Sequence, residues 1–428
     1  MSFENVVLKV LDSGEFGRYL KKAFSVVGGG LEDFVFPIII PTQDVVEGPG
    51  SSARVVEILK RAGSKKTLIV TDKVLHDLGI LNTMLEAMDK EGFSYAIYDG
   101  VEPNPSIQNI DEAYALYQKE GCDSLVGFGG GSSMDAAKIT GCRVALPGKS
   151  TKDLGRFMGY FPVTLARATK DGPFIGTVPT TAGPGAETTV AAGVSDHEID
   201  KKCTITEIAM RPKAAVLDGT LATGLPPRAT AFTAIDAVSH CTEGYISYAH
   251  NPHGDEWSVK GVRLVKENID AAIKDGKNIE ARQNLCLAAY AGGLALNMEA
   301  TGYAHPFCHK IGAKYNLVHG RCIGAVLPII LEDYGEEVAP RLAKLAVAAG
   351  IADPSATPSQ QAKQYIQWIR DFGAKYGIDP YIPEIRDEDF DEIADSIMVE
   401  IFAYANKKVY TRDEIKHLLR VIRGDYAK

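Results

Sequence analysis

The sequence predicts an α/β domain built on a mostly parallel sheet, followed by an all-helical domain. Three observations carry that reading. Between about residues 67 and 218, short apolar runs alternate with helix-like segments: "TLIVTD", "YAIYDG", "SLVGFGGG", "FIGTVPTT" and "AAVLD". Such alternation is the signature of parallel strands joined by crossover helices. After "LDGTLATGLPPRATA" the texture changes to long Ala-rich, helix-periodic segments with no comparable strand runs. The Gly-Leu-Pro-Pro turn between the two textures marks the boundary. We therefore expect a nucleotide-binding α/β domain over 1–219, with 1–36 as an extension, and a helical domain over 220–428. The extension contains "FGRYLKKAFSVVGGG", which reads as one amphipathic helix closed by glycines.

A chain of 428 residues exceeds what one core usually organises, so two domains are the natural expectation. Hydrophobic residues make up 45% and charged residues 24%, an ordinary globular composition. No run is long enough to span a membrane; "FVFPIIIP" is short and broken by Pro37 and Pro41. The start lacks a basic-then-apolar signal pattern, so a cytoplasmic location is expected. The net charge of −9 argues against a nucleic-acid surface. Seven scattered cysteines without Cys-x-x-Cys spacing argue against a disulfide framework or a thiolate zinc site.

In the α/β part, Gly129, Gly130, Gly131 and Ser132 follow a buried-strand pattern and precede a helical one. Glycines there let a phosphate approach the backbone, and the helix N-terminus offers unpaired N–H groups. The spacing is not G-x-G-x-x-G, and no acid follows about 20 residues on. An acid precedes it instead. Asp72 ends the strand "TLIVTD", where a carboxylate suits the ribose hydroxyls of NAD and repels the extra phosphate of NADP; capping the next helix is its plainer role. "PTTAGPGAET" is a second Gly-rich turn, with Thr180 and Thr181 offering hydroxyls and Gly183 and Gly185 close approach.

In the helical part, "GYAHPFCHKIGAKYNLVHG" holds His305, His309 and His319. His305 and His309 are four apart and share a helix face, with His319 beyond a turn. One such pair is unremarkable on a helix. Upstream, however, "AIDAVSHCTEGYIS" places Asp236 and His240 four apart as well. One carboxylate with imidazoles and no thiolate suits Fe(II), Zn or a similar divalent ion. "HNPH", with His250 and His253, reads as an exposed loop despite its spacing.

The segments "GGGSSMDAAK", "PTTAGPGAE", "IDAVSHCTEGYIS" and "HPFCHKIGAKYNLVHG", in this order, resemble the iron-dependent (group III) alcohol dehydrogenase family. The resemblance runs from about residue 36 to the C-terminus. It implies a divalent metal, Fe(II) first with Zn or Mn as alternatives, held by Asp236, His240, His305 and His319 in a cleft between domains. It implies that His309 stands beside the metal without binding it. It implies NAD(H) as cofactor, favoured by Asp72, with Lys202 near the nicotinamide ribose. "YDGVEPNPS" resembles the family's loop before the glycine turn.

Three departures stand out. Where the family usually has Thr-Gly-Ser-Glu, this chain has Pro184, Gly185, Ala186 and Glu187; where it has Asn-Pro-Arg, this chain has Asn406, Lys407 and Lys408. Many members also begin close to residue 36.

The implied activity is NAD(H)-dependent oxidation of a small polar alcohol or reduction of its aldehyde, of about two to four carbons, because metal and nicotinamide must reach one carbon. Lys310, Arg156, Lys170, Lys407 and Lys408 form a candidate positive lining that would favour an anionic end, as in sulfoacetaldehyde; lactaldehyde is the other small candidate. Glycerol-dehydrogenase-like polyol dehydrogenases and dehydroquinate-synthase-like lyases share the architecture and are the rival reading. From another class, a nucleotide-binding regulator without chemistry would lack a metal ligand, and none is missing. The early segment "PIIIPTQDVV" would be an exposed apolar sheet edge in a monomer, so a homodimer or larger homo-oligomer is expected.

Overall fold

The computed structural model describes residues 43–427 apart from 157–171, 184, 199–200, 402–403 and 405. The extension, the apolar run "FVFPIIIP" and the segment 157–171 carrying Lys170 lie outside the described residues. The chain forms two compact units. One takes the described residues up to Pro226 together with Asn268–Gly293; the other takes Pro227–Glu267 together with the chain from Leu294 on. The helical texture of the sequence did not reveal that Asn268–Gly293 groups with the sheet.

The first unit is built on a parallel sheet of β1 (Asp44–Glu47), β2 (Lys66–Val70), β3 (Ser94–Tyr98), β4 (Ser124–Gly129), β5 (Phe174–Pro179) and β8 (Ala214–Leu217). Their order is β1-β8-β5-β4-β2-β3, and every pairing is parallel. The crossovers run through α1 (Val55–Arg61), α2 (Lys73–Asp77), α3 (Asn82–Lys90), α4 (Ile107–Glu120), α5 (Gly131–Ala145) and α6 (Thr151–Arg156). Strand side chains alternate between two cores. Leu68, Val70, Leu125 and Ile175 pack on one face, and Ile69, Val126, Phe128, Val178 and Val216 on the other. The period of two explains why these runs read as strands and why both faces needed helices.

Local chemistry sets the ends of the helices. Ser106 and Asn109 form a reciprocal capping box at the start of α4, and Gly121 closes it in the left-handed region. A separate antiparallel hairpin, β6 (Ala191–Asp196) and β7 (Lys201–Thr206), was not foreseen. Its sequences "AAGVSD" and "KKCTIT" are short, small and lysine-bearing, and lack the apolar density of the sheet strands.

The second unit is helical. It contains α7 (Pro227–Ile246), α10 (Ala304–Tyr315), α11 (His319–Tyr334), α12 (Ala339–Ala348), α13 (Pro358–Tyr376), α14 (Phe390–Ile401) and α15 (Arg412–Arg423). The helices α8 (Pro252–Lys274) and α9 (Ile279–Glu299) each contribute to both units. α11 packs against α7, α10 and α13, and α10 against α14. From Ala234 to Ile246 every residue of α7 is buried, so its polar side chains must find partners inside the protein. Among the described residues, no helix is long and apolar enough to cross a membrane.

Candidate metal centre and nucleotide end

Asp236 and His240 lie one turn apart on α7, both about 5% exposed. His305 sits in the first turn of α10. That helix ends at Asn316, whose left-handed backbone reverses the chain so that His319 opens α11. Asp236 Oδ1 is 3.3 Å from His319 Nε2, 3.8 Å from His305 Nε2 and 3.9 Å from His240 Nε2. The donor atoms of Asp236, His305 and His319 all lie within 4.8 Å of one another. His240 stands beside this trio rather than within it, its ring stacked on His305 at 4.6 Å between centroids.

These residues fit a divalent ion. Four donors each about 2.1 Å from a metal stand about 3.4 Å apart in a tetrahedron, close to the spacings around Asp236. Among the described residues, Asp236 Oδ1 and His305 Nε2, which face each other, are both buried without a hydrogen-bond partner. Buried polar atoms left unpaired are costly, and a cation satisfies an anionic oxygen and an imidazole lone pair together. The electrostatics agree. Burial pushes Asp236 up, but the surrounding imidazoles of His240, His319 and His305 hold it well below the usual carboxylate range. Burial pulls His240 down to about 3, so the ring is neutral and one nitrogen keeps a lone pair for a ligand.

Two carboxylates near the histidines escaped the sequence reading. Glu243, fully buried, binds His305 Nδ1 through Oε2, and its Oε1 accepts the Ala304 N–H at 2.8 Å. Burial lowers His305, yet Glu243 and Asp236 outweigh it and raise it to about 10. The bond to Glu243 fixes the ring and leaves Nε2 as the outward donor. Gly302 permits this approach, since a Cβ there would lie 2.5 Å from Glu243 Oε1. Positions 236, 240 and 243 share one helix face, so this second acid was readable from the spacing. Glu400 on α14 is the other carboxylate. Its Oε1 is 2.7 Å from His309 Nδ1 and its Oε2 2.6 Å from Lys310 Nζ. No local pattern in "VEIFAYANKK" marked it.

The expected positive lining is largely engaged. Lys310 pairs with Glu400, Lys408 Nζ bonds Asp333 Oδ2 at 2.5 Å, and Lys407 lies 3.9 Å above the Tyr248 ring. The Arg156 side chain and Lys170 lie outside the described residues. His250 and His253 are exposed, but His253 belongs to the first turn of α8 and accepts the Trp257 indole N–H at 3.2 Å.

At the nucleotide end, β4 and β5 end side by side. Gly129 has φ 144°, a conformation that needs glycine, and a Cβ there would lie 2.7 Å from Ser133 Oγ. Gly130 starts α5 with no side-chain cap, leaving N–H groups of the first turn open to an anion. Thr180 N–H donates to Gly129 O at 2.9 Å, and the Thr181 side chain faces Gly130. Ser132 Oγ accepts the Asn104 N–H at 3.1 Å, tying the loop "EPNPS" to the glycine turn. Asp72 caps α2, its Oδ1 accepting the Leu75 N–H at 2.9 Å. Lys202 lies on β7, opposite Ser195, with its side chain outside the described residues.

The second Gly-rich turn is anchored by a lysine the sequence reading passed over. Lys138 on α5 is wholly buried, its Nζ bonded to Ala186 O at 3.1 Å, Thr189 Oγ1 at 2.9 Å, Ala191 O at 2.6 Å and Asp135 Oδ1 at 2.9 Å. Gly185 of the same turn has φ 67° and lies against Gly293, where a Cβ on Gly185 would be 2.5 Å from the Gly293 Cα.

Comparison with known proteins places this geometry. Residues 41–219 match the family described as iron-containing alcohol dehydrogenase, and residues 230–422 match the Fe-containing alcohol dehydrogenase family, C-terminal. The chain is 30% identical over 377 residues to alcohol dehydrogenase 4 of Saccharomyces cerevisiae, covering 87% of this chain and 95% of that protein. It is 30% identical over 391 residues to 1,3-propanediol dehydrogenase of Klebsiella pneumoniae, covering 90% and 98%. The solved structure of an alcohol dehydrogenase from Oenococcus oeni superposes with a TM-score of 0.81 at 30% identity, covering 89% of this chain and 98% of that one. With the paired Asp and His residues on α7, α10 and α11 and matches along nearly the whole chain, this protein belongs to the iron-containing alcohol dehydrogenase family.

Proposed function

We propose that this protein is a metal-dependent, NAD(H)-linked alcohol dehydrogenase and aldehyde reductase acting on a small polar substrate. The observation that carries the reading is the set of imidazole nitrogens gathered around the unpartnered, buried Oδ1 of Asp236. Asp236, His240, His305 and His319 would hold one divalent ion, Fe(II) first with Zn or Mn as alternatives. When bound, the ion supplies Lewis acidity toward a substrate oxygen and the nicotinamide supplies or accepts the hydride.

The chain's own residues do the rest. Glu243 orients His305, so one ligand is held before anything binds. Gly129, Gly130, Gly131, Ser132, Thr180 and Thr181 would seat the cofactor phosphates at the open end of α5, and Lys202 would lie near the nicotinamide ribose. Asp72, with one oxygen on the helix cap, would keep its charge against the adenosine ribose and favour NAD over NADP. His309 is held by Glu400 and would carry the proton at Nε2 between the reacting oxygen and solvent.

The substrate reading rests on the family and on the engaged lysines. The name of the Klebsiella relative supports a short polar alcohol. An anionic end has less support, because Lys310 and Lys408 are each paired with a carboxylate. We therefore favour a neutral short-chain aldehyde such as lactaldehyde over sulfoacetaldehyde. We also propose a cytoplasmic homodimer or larger homo-oligomer. β1 is an edge strand, paired only with β8 among the described residues, and a second copy would cover its other edge. A monodisperse 46.1 kDa species at micromolar concentration would contradict that state.

The test of function is kcat/KM for sulfoacetaldehyde, lactaldehyde, propanal and butanal with NADH and NADPH, after anaerobic Fe(II) loading. Turnover of the short aldehydes with NADH is expected. Efficient turnover only of long-chain or aromatic aldehydes, or none with any of the four, would overturn the reading.

A further inference from the structure

Glu400 is a largely enclosed carboxylate between two neighbours in sequence that would otherwise point about a hundred degrees apart on α10. His309 takes one of its oxygens and Lys310 the other, at 2.7 and 2.6 Å. The Tyr404 hydroxyl donates to Oε1 at 3.4 Å. Burial alone would raise Glu400, but the Lys310 charge and the hydrogen bonds from His309 and Lys310 hold it far below the usual range. An ionised carboxylate can only accept, so the proton of a neutral His309 sits on Nδ1. Its Nε2 keeps the lone pair and is directed away from Glu400, in a ring whose centre is 5.7 Å from that of His305 and 5.5 Å from that of His319.

We propose that Glu400 is a positioning residue for the reaction: it fixes the orientation and tautomer of His309, and Lys310 decides which Glu400 oxygen does so. The inference rests on His309 being the proton carrier of the proposed function. An ordinary surface ion pair would orient nothing, because its partners are free to rotate. Here the carboxylate is 13% exposed and both oxygens are committed.

The nearly isosteric E400Q tests it, because an amide has one acceptor and one donor end. With its oxygen toward His309, the amide nitrogen meets the Lys310 ammonium, donor against donor. Turned over, it donates to Nδ1 and forces the proton onto Nε2, the opposite tautomer. E400Q should lower kcat about 10- to 100-fold, with KM, NADH affinity and metal content within about twofold of wild type. K310M/E400Q removes the clash and lets the amide oxygen return to His309, so its kcat should exceed that of E400Q by about fivefold or more. A merely structural role predicts no such rescue. E400Q with wild-type kcat, or K310M/E400Q no faster than E400Q, overturns the proposal. H309Q measured alongside separates the two readings: if it is slow while E400Q is normal, only the positioning role fails. If H309Q itself turns over normally, the proton-carrier reading fails, and the positioning proposal with it.

Discussion

Replacing Lys138 with Met probes the link between the buried interior of the sheet unit and its cofactor face. Met keeps the length of the aliphatic stem and removes the ammonium. Ala186 O, Thr189 O and Thr189 Oγ1 then lose the hydrogen bonds of the ammonium, while Ala191 O loses one donor and keeps the Thr189 hydroxyl as another. Asp135 loses its cation but is 20% exposed and still accepts the Gly193 N–H, so its share of the cost is smaller. Breaking a buried charge-assisted set from one side costs about 3–5 kcal/mol. Each kcal/mol moves Tm by about 2–4 °C in a unit of this size, so a fall of roughly 6–20 °C is expected in calorimetry. NADH affinity, read by fluorescence titration well below the melt, should fall too, because the turn that follows Thr180 and Thr181 loses its anchor. A K138M protein melting within about 2 °C of wild type would refute the reasoning, since that shift corresponds to less than about 1 kcal/mol.

Three further outcomes follow from individual side chains. Burial raises Glu187 to about 7, so between about pH 4.5 and 7 the folded chain holds a proton the unfolded chain has lost, and stability falls as pH rises through that window. The loss amounts to about 3 kcal/mol, and an E187Q melt series should show that part of the slope gone; an unchanged slope would contradict it. Gly176 borders an apolar cavity of about 10 Å³, and an added Cβ would meet Phe174 and Val126 at 3.7 and 3.9 Å, so Gly176→Ala should raise stability by about 1 kcal/mol in denaturant titration, whereas destabilisation would mean the cavity cannot take a methyl. Asp72→Ser keeps a helix cap for Leu75 while removing the charge, so NADPH should bind about tenfold more tightly with little change for NADH; equal weakening of both would assign Asp72 to capping alone.

What the sequence made legible is what short-range periodicity can encode. The strands β2, β4, β5 and β8 were visible because they are buried on both faces and read as apolar runs; β3, at the sheet edge and mostly only partly buried, was visible from its aromatic and β-branched residues in "SYAIY". The Asp236–His240 and His305–His309 pairs were visible because the helix repeat puts such residues on one face. The hairpin β6–β7 was not, since every second residue of β6 is only partly buried and the two runs carry few large apolar side chains. Glu243 lay within reach of the same periodicity, seven positions after Asp236. Glu400 and Lys138 were out of reach. Their roles come from partners 91 and about 50 positions away, and no local pattern specifies contacts at that separation. Lys310 shows the converse error: a lysine counted as free charge in the sequence is paired in the fold.

The central claim is that Asp236, His240, His305 and His319 hold one catalytic divalent ion. The most direct measurement is metal content per chain, by inductively coupled plasma spectrometry, for wild type and His305→Ala after anaerobic Fe(II) loading and removal of free metal. His305 contributes an unpartnered, buried Nε2 3.8 Å from Asp236 Oδ1, so its loss removes a ligand without touching the glycine turn. We expect about one ion per wild-type chain and a tenfold or greater loss in His305→Ala, with NADH affinity preserved. Wild-type protein without bound metal, or His305→Ala retaining the full complement, would contradict the account.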